Sequence, residues 1–109
     1  MFDWAEWYKE NREEQRGKAR VRSKRRRDFM IKLRSLILSA TPCMDCGAPP
    51  DDDFEFDHRE GMADGRRRVS DLVTKGMNPA ALMREIQHCD VVCPTCHKRR
   101  TYARAWETA

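Results

Sequence analysis

Four cysteines in this chain form two pairs with a two-residue spacing, Cys43-Met-Asp-Cys46 and Cys93-Pro-Thr-Cys96. That spacing lets both sulfurs of a pair reach one ion at about 2.3 Å, and two such pairs complete a tetrahedron. A closed four-sulfur site keeps no coordination position open, so the zinc expected there is structural. The fifth cysteine, Cys89, is expected to be a small buried neighbour of the site rather than a ligand. Disulfides are the competing use of the same residues. No apolar leader stretch stands at the N-terminus and no run is long enough to span a bilayer. The expected compartment is therefore the reducing cytoplasm, where such pairs hold metal.

A second group lies between the cysteine pairs. Asp57-His58 follows Phe54-Glu55-Phe56, and His97 directly follows Cys96. One carboxylate and one imidazole can hold a divalent ion and still leave positions for water and a phosphate. Asp57 and His97 are the candidate ligands of such an ion, Mg²⁺ or Mn²⁺. His58 is the candidate general base, because an unperturbed imidazole titrates near about 6.5. Glu55 could orient a catalytic group, but is expected to face solvent. The pairs themselves are far apart: residues 47–92, 46 in all, separate Cys46 from Cys93, whereas a plain zinc ribbon has about 15–20 between its pairs.

The third group is basic. Arg16, Lys18, Arg20, Arg22, Lys24, Arg25, Arg26 and Arg27 are eight cations with no acid among them. The whole chain is +4, so the remainder is −4. Charge concentrated in this way is the footprint of a nucleic-acid contact, although a solvated helix face would look alike. Arg20, Arg22, Lys24, Arg25, Arg26 and Arg27 are the candidate contacts, joined by Lys98, Arg99 and Arg100 one turn beyond His97. Arg99 and Arg100 are expected to clamp a phosphate, and Arg66 to Arg68 to contact backbone from a loop.

The elements that must position these groups are partly legible. Asp3 caps a helix whose Trp4, Trp7 and Tyr8 form a stripe expected to pack. That helix either continues through the basic run or breaks at Gly17, which costs about 1 kcal/mol against alanine. Phe29, Met30, Leu33, Leu36, Ile37 and Ala40 repeat at three and four, giving an amphipathic helix over 28–40 with that face in the core. Thr41-Pro42 ends it. Residues 54–57 alternate as a short strand, 61–68 form a mobile loop and 69–73 a turn of helix. Asn78-Pro79 opens a helix to about His88. Val91-Val92 is a short β-prone run, and Pro94 begins the last helix.

Cys-x-x-Cys, then Phe56-Asp57-His58, then Cys-x-x-Cys-His97 followed by basic residues, resembles the zinc-containing HNH endonucleases over residues 43 to about 104. The resemblance implies an α+β fold with a ββα-metal (His-Me finger) core, preceded by one or two helices. It also implies a basic extension over 1–40 and a nuclease domain over 41–109. It gives His58 the role of general base, Asp57 and His97 that of ligands to one Mg²⁺ or Mn²⁺, and products with 5′-phosphate and 3′-hydroxyl ends. The expected activity is that of an endonuclease or nickase on double-stranded DNA. Small chains of this appearance are common in phages, which implies a bacterial or phage-infected cytoplasm and a partner such as the packaging machinery.

The family usually carries a central asparagine just before the second cysteine pair, bracing the loop of the base. Here the stretch is Gln87-His88-Cys89-Asp90. His88 or a backbone group must brace instead. Two other functions use the same features differently: a non-catalytic zinc module that binds DNA or RNA as a regulator, and a protein adaptor docking through Asp51–Asp53.

With 39% hydrophobic and 37% charged residues, the chain is lean in core-forming side chains, and small lean domains rely on a staple. Zinc binding contributes about 10–16 kcal/mol in small zinc domains. Metal analysis should therefore find one tightly held zinc per chain, and Cys43→Ser should release it and unfold residues 41–109. Full helicity after chelation would remove this idea.

Overall fold

Helix α1 (Trp4–Glu10) opens the chain in the computed structural model, which describes residues 1–62 and 65–108. Asp3 is its N-cap: the carboxylate accepts from the backbone N–H groups of Ala5 and Glu6 at 3.0 and 3.2 Å. The break comes at Asn11, not at Gly17. Helix α2 (Arg12–Ala40) then runs unbroken for 29 residues through the whole basic segment. Thr41, extended at φ −122° and ψ 116°, ends it, as the following Pro42 requires.

A rod of that length spans about 43 Å, and it makes the molecule long. The extents are 64 × 32 × 18 Å and the radius of gyration is 19.3 Å, against about 13 Å for a compact chain of this size. No residue before Met30 is buried. The expected packing of the Trp4, Trp7 and Tyr8 stripe is accordingly corrected. Trp4 and Tyr8 are exposed, and the aromatic contacts of this segment are local, Phe2 with Trp4 and Trp4 with Trp7. Periodicity marks a stripe but not whether anything covers it.

The remaining elements are β1 (Glu55–His58), α3 (Val69–Thr74), α4 (Pro79–Ile86), β2 (Cys89–Val92) and α5 (Pro94–Thr108). The fold is thus mixed: helices around one antiparallel two-stranded sheet. Its register sets Glu55 opposite Val92, Phe56 opposite Val91, Asp57 opposite Asp90 and His58 opposite Cys89. Strand β1 begins and ends one residue later than the alternation suggested. Helix α4 opens as expected, the Asn78 side chain accepting from Ala80 N–H at 2.8 Å, but stops at Ile86, two residues short of His88. Of the expected 61–68 loop, residues 63 and 64 lie outside those described.

Two small cores hold these elements. Leu38, Phe54, Val91 and Val92 pack with Cys43 and Cys96 under the cysteine pairs. Met30, Val69, Leu72, Val73 and Leu82 form the second, and Phe56 touches both. Helix α2 supplies Leu38 to one and Met30 to the other, so the boundary at residue 40 does not separate two packing units. The buried face of its last three turns is also rotated from expectation: Phe29 and Leu36 are exposed, whereas Leu38 is fully buried.

A hairpin of α3 and α4 closes against α2 through one glycine. Gly76 (φ +61°) terminates α3, its N–H bonding Val73 O while Met77 N–H bonds Leu72 O. These are the two bonds of a Schellman ending. An added Cβ would lie 3.0 Å from Arg27 Cγ, so the turn sits directly on the basic helix.

Before the Gly76 turn at Ser23 and Arg27, then, α2 projects past the core, and its cations from Arg16 to Arg27 are exposed. Arg16 and Lys18 pair with Glu13 and Glu14. The cations from Arg20 to Arg27 have no ion pair among the described residues. Replacing Arg25, Arg26 and Arg27 with glutamine should leave zinc content unchanged and make log K for duplex DNA less steep in log salt. The expected change is up to about 0.9 per lost phosphate contact. An unaltered slope in a filter-binding titration would mark the rod as a solvated face.

Candidate metal centre and catalytic cleft

The two cysteine pairs are brought together by different devices. The first is a turn: Gly47 N–H donates to Cys43 O at 2.9 Å and Cys43 N–H to Ala48 O at 3.0 Å. Gly47, at φ +72°, supplies the left-handed residue that this reversal needs. The second joins the end of β2 to the start of α5, and Met44 N–H donates to Val91 O across the gap at 2.9 Å. All four sulfurs lie within 4.8 Å of one another, and Cys46 Sγ stands 3.9 Å from Cys93 Sγ. Sulfurs about 2.3 Å from one tetrahedral ion stand about 3.8 Å apart, so the four cysteines are positioned to bind a structural metal such as zinc.

The surrounding amides favour thiolates. Cys93 N–H points at Cys43 Sγ and Cys96 N–H at Cys93 Sγ, at 3.3 and 3.4 Å. Burial opposes ionisation of Cys43, but backbone donors from Cys46, Cys93 and Asp45 draw its pKa down to about 6. Cys96 is instead lifted to about 12, first by its hydrogen bond to Cys93 and then by burial. Four thiolates cannot share this volume without a cation among them. Cys89 stays apart, half-buried, its thiol donating to Glu85 O at 3.4 Å. Burial and the Glu85 charge push its pKa to about 11, as suits an inert packing residue.

Beside the cysteines, Arg100 gathers three aspartates. Its Nε and Nη2 hold the Asp45 carboxylate at 2.7 and 2.6 Å. Its Nη1 lies 3.0 Å from both Asp57 Oδ2 and Asp90 Oδ2. Arg104 adds a bidentate pair to Asp57 at 2.8 and 2.7 Å and donates to His58 O at 2.8 Å. Burial works against the Asp57 charge, yet the two guanidiniums hold its pKa below the usual carboxylate range. The expected phosphate clamp by Arg100 is therefore corrected: its donors are spent on Asp45, Asp57 and Asp90. Lys98 and Arg99, on the other side of α5, remain exposed.

Successive residues of β1 face opposite ways. Glu55 and Asp57 face α5, and Phe56 and His58 face the inserted helices. His58 Nε2 lies 2.9 Å from Glu85 Oε1, both groups buried. Glu85 also accepts from Arg67 N–H at 3.0 Å, and despite its burial these bonds keep its pKa low. Neither residue Glu85 nor Arg104 stood out in the sequence. The signal for Glu85 is a carboxylate three residues after Leu82 on the inward face of α4. The signal for Arg104 is its helical spacing from His97 and Arg100.

His97 lies between two carboxylates. Its Nδ1 meets Glu55 Oε2, and its Nε2 lies 3.3 Å from Asp57 Oδ1. Glu55, its side chain 44% exposed, faces solvent as expected and is at the same time the partner of His97. Asp57 and His97 do converge, but Asp57 is 4% exposed and its oxygens are already engaged by two arginines. A divalent ion at Asp57 would have to displace a guanidinium, which does not fit the ligand role expected of it.

Glu55, His58 and His97 all line one open cleft of about 450 Å³, together with Arg34, Arg68 and Ser70. The loop after β1 is braced without the side chain of His88, which is exposed. Arg59 N–H bonds His88 O at 3.0 Å, and the Arg59 guanidinium reaches Gln87 O, Cys89 O and Asp90. A backbone group therefore does the bracing. No family model, no curated protein and no solved structure matches this chain. No described helix is long and apolar enough to cross a membrane.

Removing Arg100 would leave buried Asp57 and half-buried Asp90 opposite each other with one arginine apiece, Arg104 and Arg59. Arg100→Ala should lower urea stability of the zinc-loaded protein by about 1–3 kcal/mol, as loss of one member of a partly buried ion-pair network does. Arg99→Ala, one residue away and exposed, should change it by about 0.5 kcal/mol or less. Equal effects would mean that the carboxylate cluster needs no bridge.

Proposed function

We propose that this chain is a metal-dependent endonuclease or nickase of the HNH type that hydrolyses DNA phosphodiester bonds. One observation carries the reading: His58 and His97, each with a ring nitrogen on a carboxylate, open onto the same arginine-lined cleft. The order β1, β2, α5, with cysteine pairs tying the hairpin to the helix, supports a ββα-metal core. The zinc would be structural.

The chemistry follows from the partners of His58. With Nε2–H donating to Glu85, the neutral ring keeps its lone pair on Nδ1 and can take a proton from the attacking water. Glu85 then steadies the imidazolium that forms, as a buried carboxylate does for any histidine base. Arg34 and Arg68 offer charge for the phosphate oxygens as negative charge grows on them. When bound, Mg²⁺ or Mn²⁺ would withdraw charge from the phosphate and the departing 3′ oxygen. Duplex DNA would be held chiefly through phosphate contacts along α2, with Lys98 and Arg99 nearer the cleft, so sequence preference should be modest.

The basic rod by itself suits the regulator reading equally well, so the test must act on the cleft. His58→Gln keeps a donor for Glu85, and so should keep fold, zinc and DNA affinity. Plasmid nicking with Mn²⁺ should fall by about 10²–10⁴-fold. Undiminished cleavage would sink the assignment of the base, and a wild type that binds DNA but never cuts it would favour the regulator.

A further inference from the structure

We infer that the divalent cation of the cleft is held by Glu55 and His97, with Asp57 acting behind His97 rather than on the ion. The inference takes its purpose from the nuclease reading, but its geometry stands apart from it.

A carboxylate offers about four lone-pair directions, and those of Asp57 are filled. Oδ1 faces Arg104 Nη1 and His97 Nε2, and Oδ2 faces Arg104 Nη2 and Arg100 Nη1. Mg²⁺ and its relatives keep several waters when protein-bound, and a buried oxygen between two guanidiniums has no room for them. Asp57 is also not among the residues lining the cleft.

Glu55 differs on each count. Its side chain is 44% exposed and that of His97 30% exposed, and both border the cleft across from His58. The His97 ring supplies the decisive constraint. It lies between the carboxylates of Glu55 and Asp57, and a neutral imidazole has only one N–H to give. Nδ1 meets Glu55 Oε2 and Nε2 stands 3.3 Å from Asp57 Oδ1, so in the tautomer that turns Nε2–H to Asp57 the Nδ1 lone pair faces a Glu55 oxygen, acceptor against acceptor. A cation between them satisfies both. Asp57 then becomes the carboxylate behind a metal-bound histidine, fixing its tautomer and raising its basicity. Arg100 and Arg104 hold that carboxylate in place. One carboxylate oxygen and one imidazole nitrogen suit Mn²⁺ or Mg²⁺ and leave the other positions to water and phosphate.

The test is Mn²⁺ binding to the zinc-loaded full chain without nucleic acid, read from the free-ion electron paramagnetic resonance signal. Wild type should bind one Mn²⁺, and Glu55→Gln should weaken it at least about tenfold while retaining zinc and helicity. Arg104→Gln uncovers an Asp57 oxygen, so combining it with Glu55→Gln separates the two carboxylates. The double variant should stay weak. Recovery of binding in it would make Asp57 the ligand and overturn the proposal. So would wild-type affinity in Glu55→Gln, or no Mn²⁺ bound by wild type. Should Glu55→Gln lose zinc, Mn²⁺ added to wild type should broaden the His97 ring resonances and spare those of His88; equal broadening would overturn the proposal. Nicking by the same preparations keeps the failures distinct. Wild type that binds Mn²⁺ without cutting removes the nuclease and leaves the site, whereas cutting undiminished in Glu55→Gln does the reverse.

Discussion

Sulfur atoms within 4.8 Å of one another close the chain over residues 47–92, and the cleft depends on that closure. Each strand of the hairpin is four residues long, and a two-stranded sheet of that size is marginal alone in water. The core under it is equally slight. A metal held by the four cysteines would offset the loop-closure entropy that such weak elements could not. The closure also brings the start of α5 against β1, the contact through which His97 reaches Glu55 and Asp57.

The second tie is ionic, and it shows why arginine stands at position 100. A lysine ammonium could satisfy one or two of the surrounding oxygens. The planar guanidinium spans Asp45, Asp57 and Asp90 together because its donors point in fixed, divergent directions. The first cysteine turn, both strands and α5 meet on that one side chain. Charge is thus used in two opposite ways here: packed and paired beside the cysteines, in solvent and without an ion pair among the described residues from Arg20 to Arg27 of α2.

The parts of this arrangement legible in the sequence are the local ones. Asn78-Pro79 announces a helix start because an N-cap and its proline act within three residues, and a two-residue cysteine spacing carries its own geometry. Arg99 and Arg100 show the limit. Nothing local tells them apart, yet about 100° of helical rotation puts one in solvent and the other on three carboxylates. The tryptophans of α1 fail for a related reason: a stripe records the period of a helix and says nothing of what lies opposite. Glu85 was hidden because its partner, His58, lies 27 residues away. A backbone hydrogen bond from Arg59 does the work of an expected side chain, and no sequence pattern registers that.

The register of the sheet sets Asp57 directly across from Asp90. Like charges in opposed positions destabilise a strand pair, and here arginines on both sides answer them: Arg59 beside Asp90, Arg104 beside Asp57 and Arg100 between the two. Strand pairing and helix docking support each other in this sense: two of the three arginines come from α5, and the helix docks on carboxylates that the strand register sets side by side. The opposed aspartates thus count against the strand pair by itself and give the docked helix its anchor.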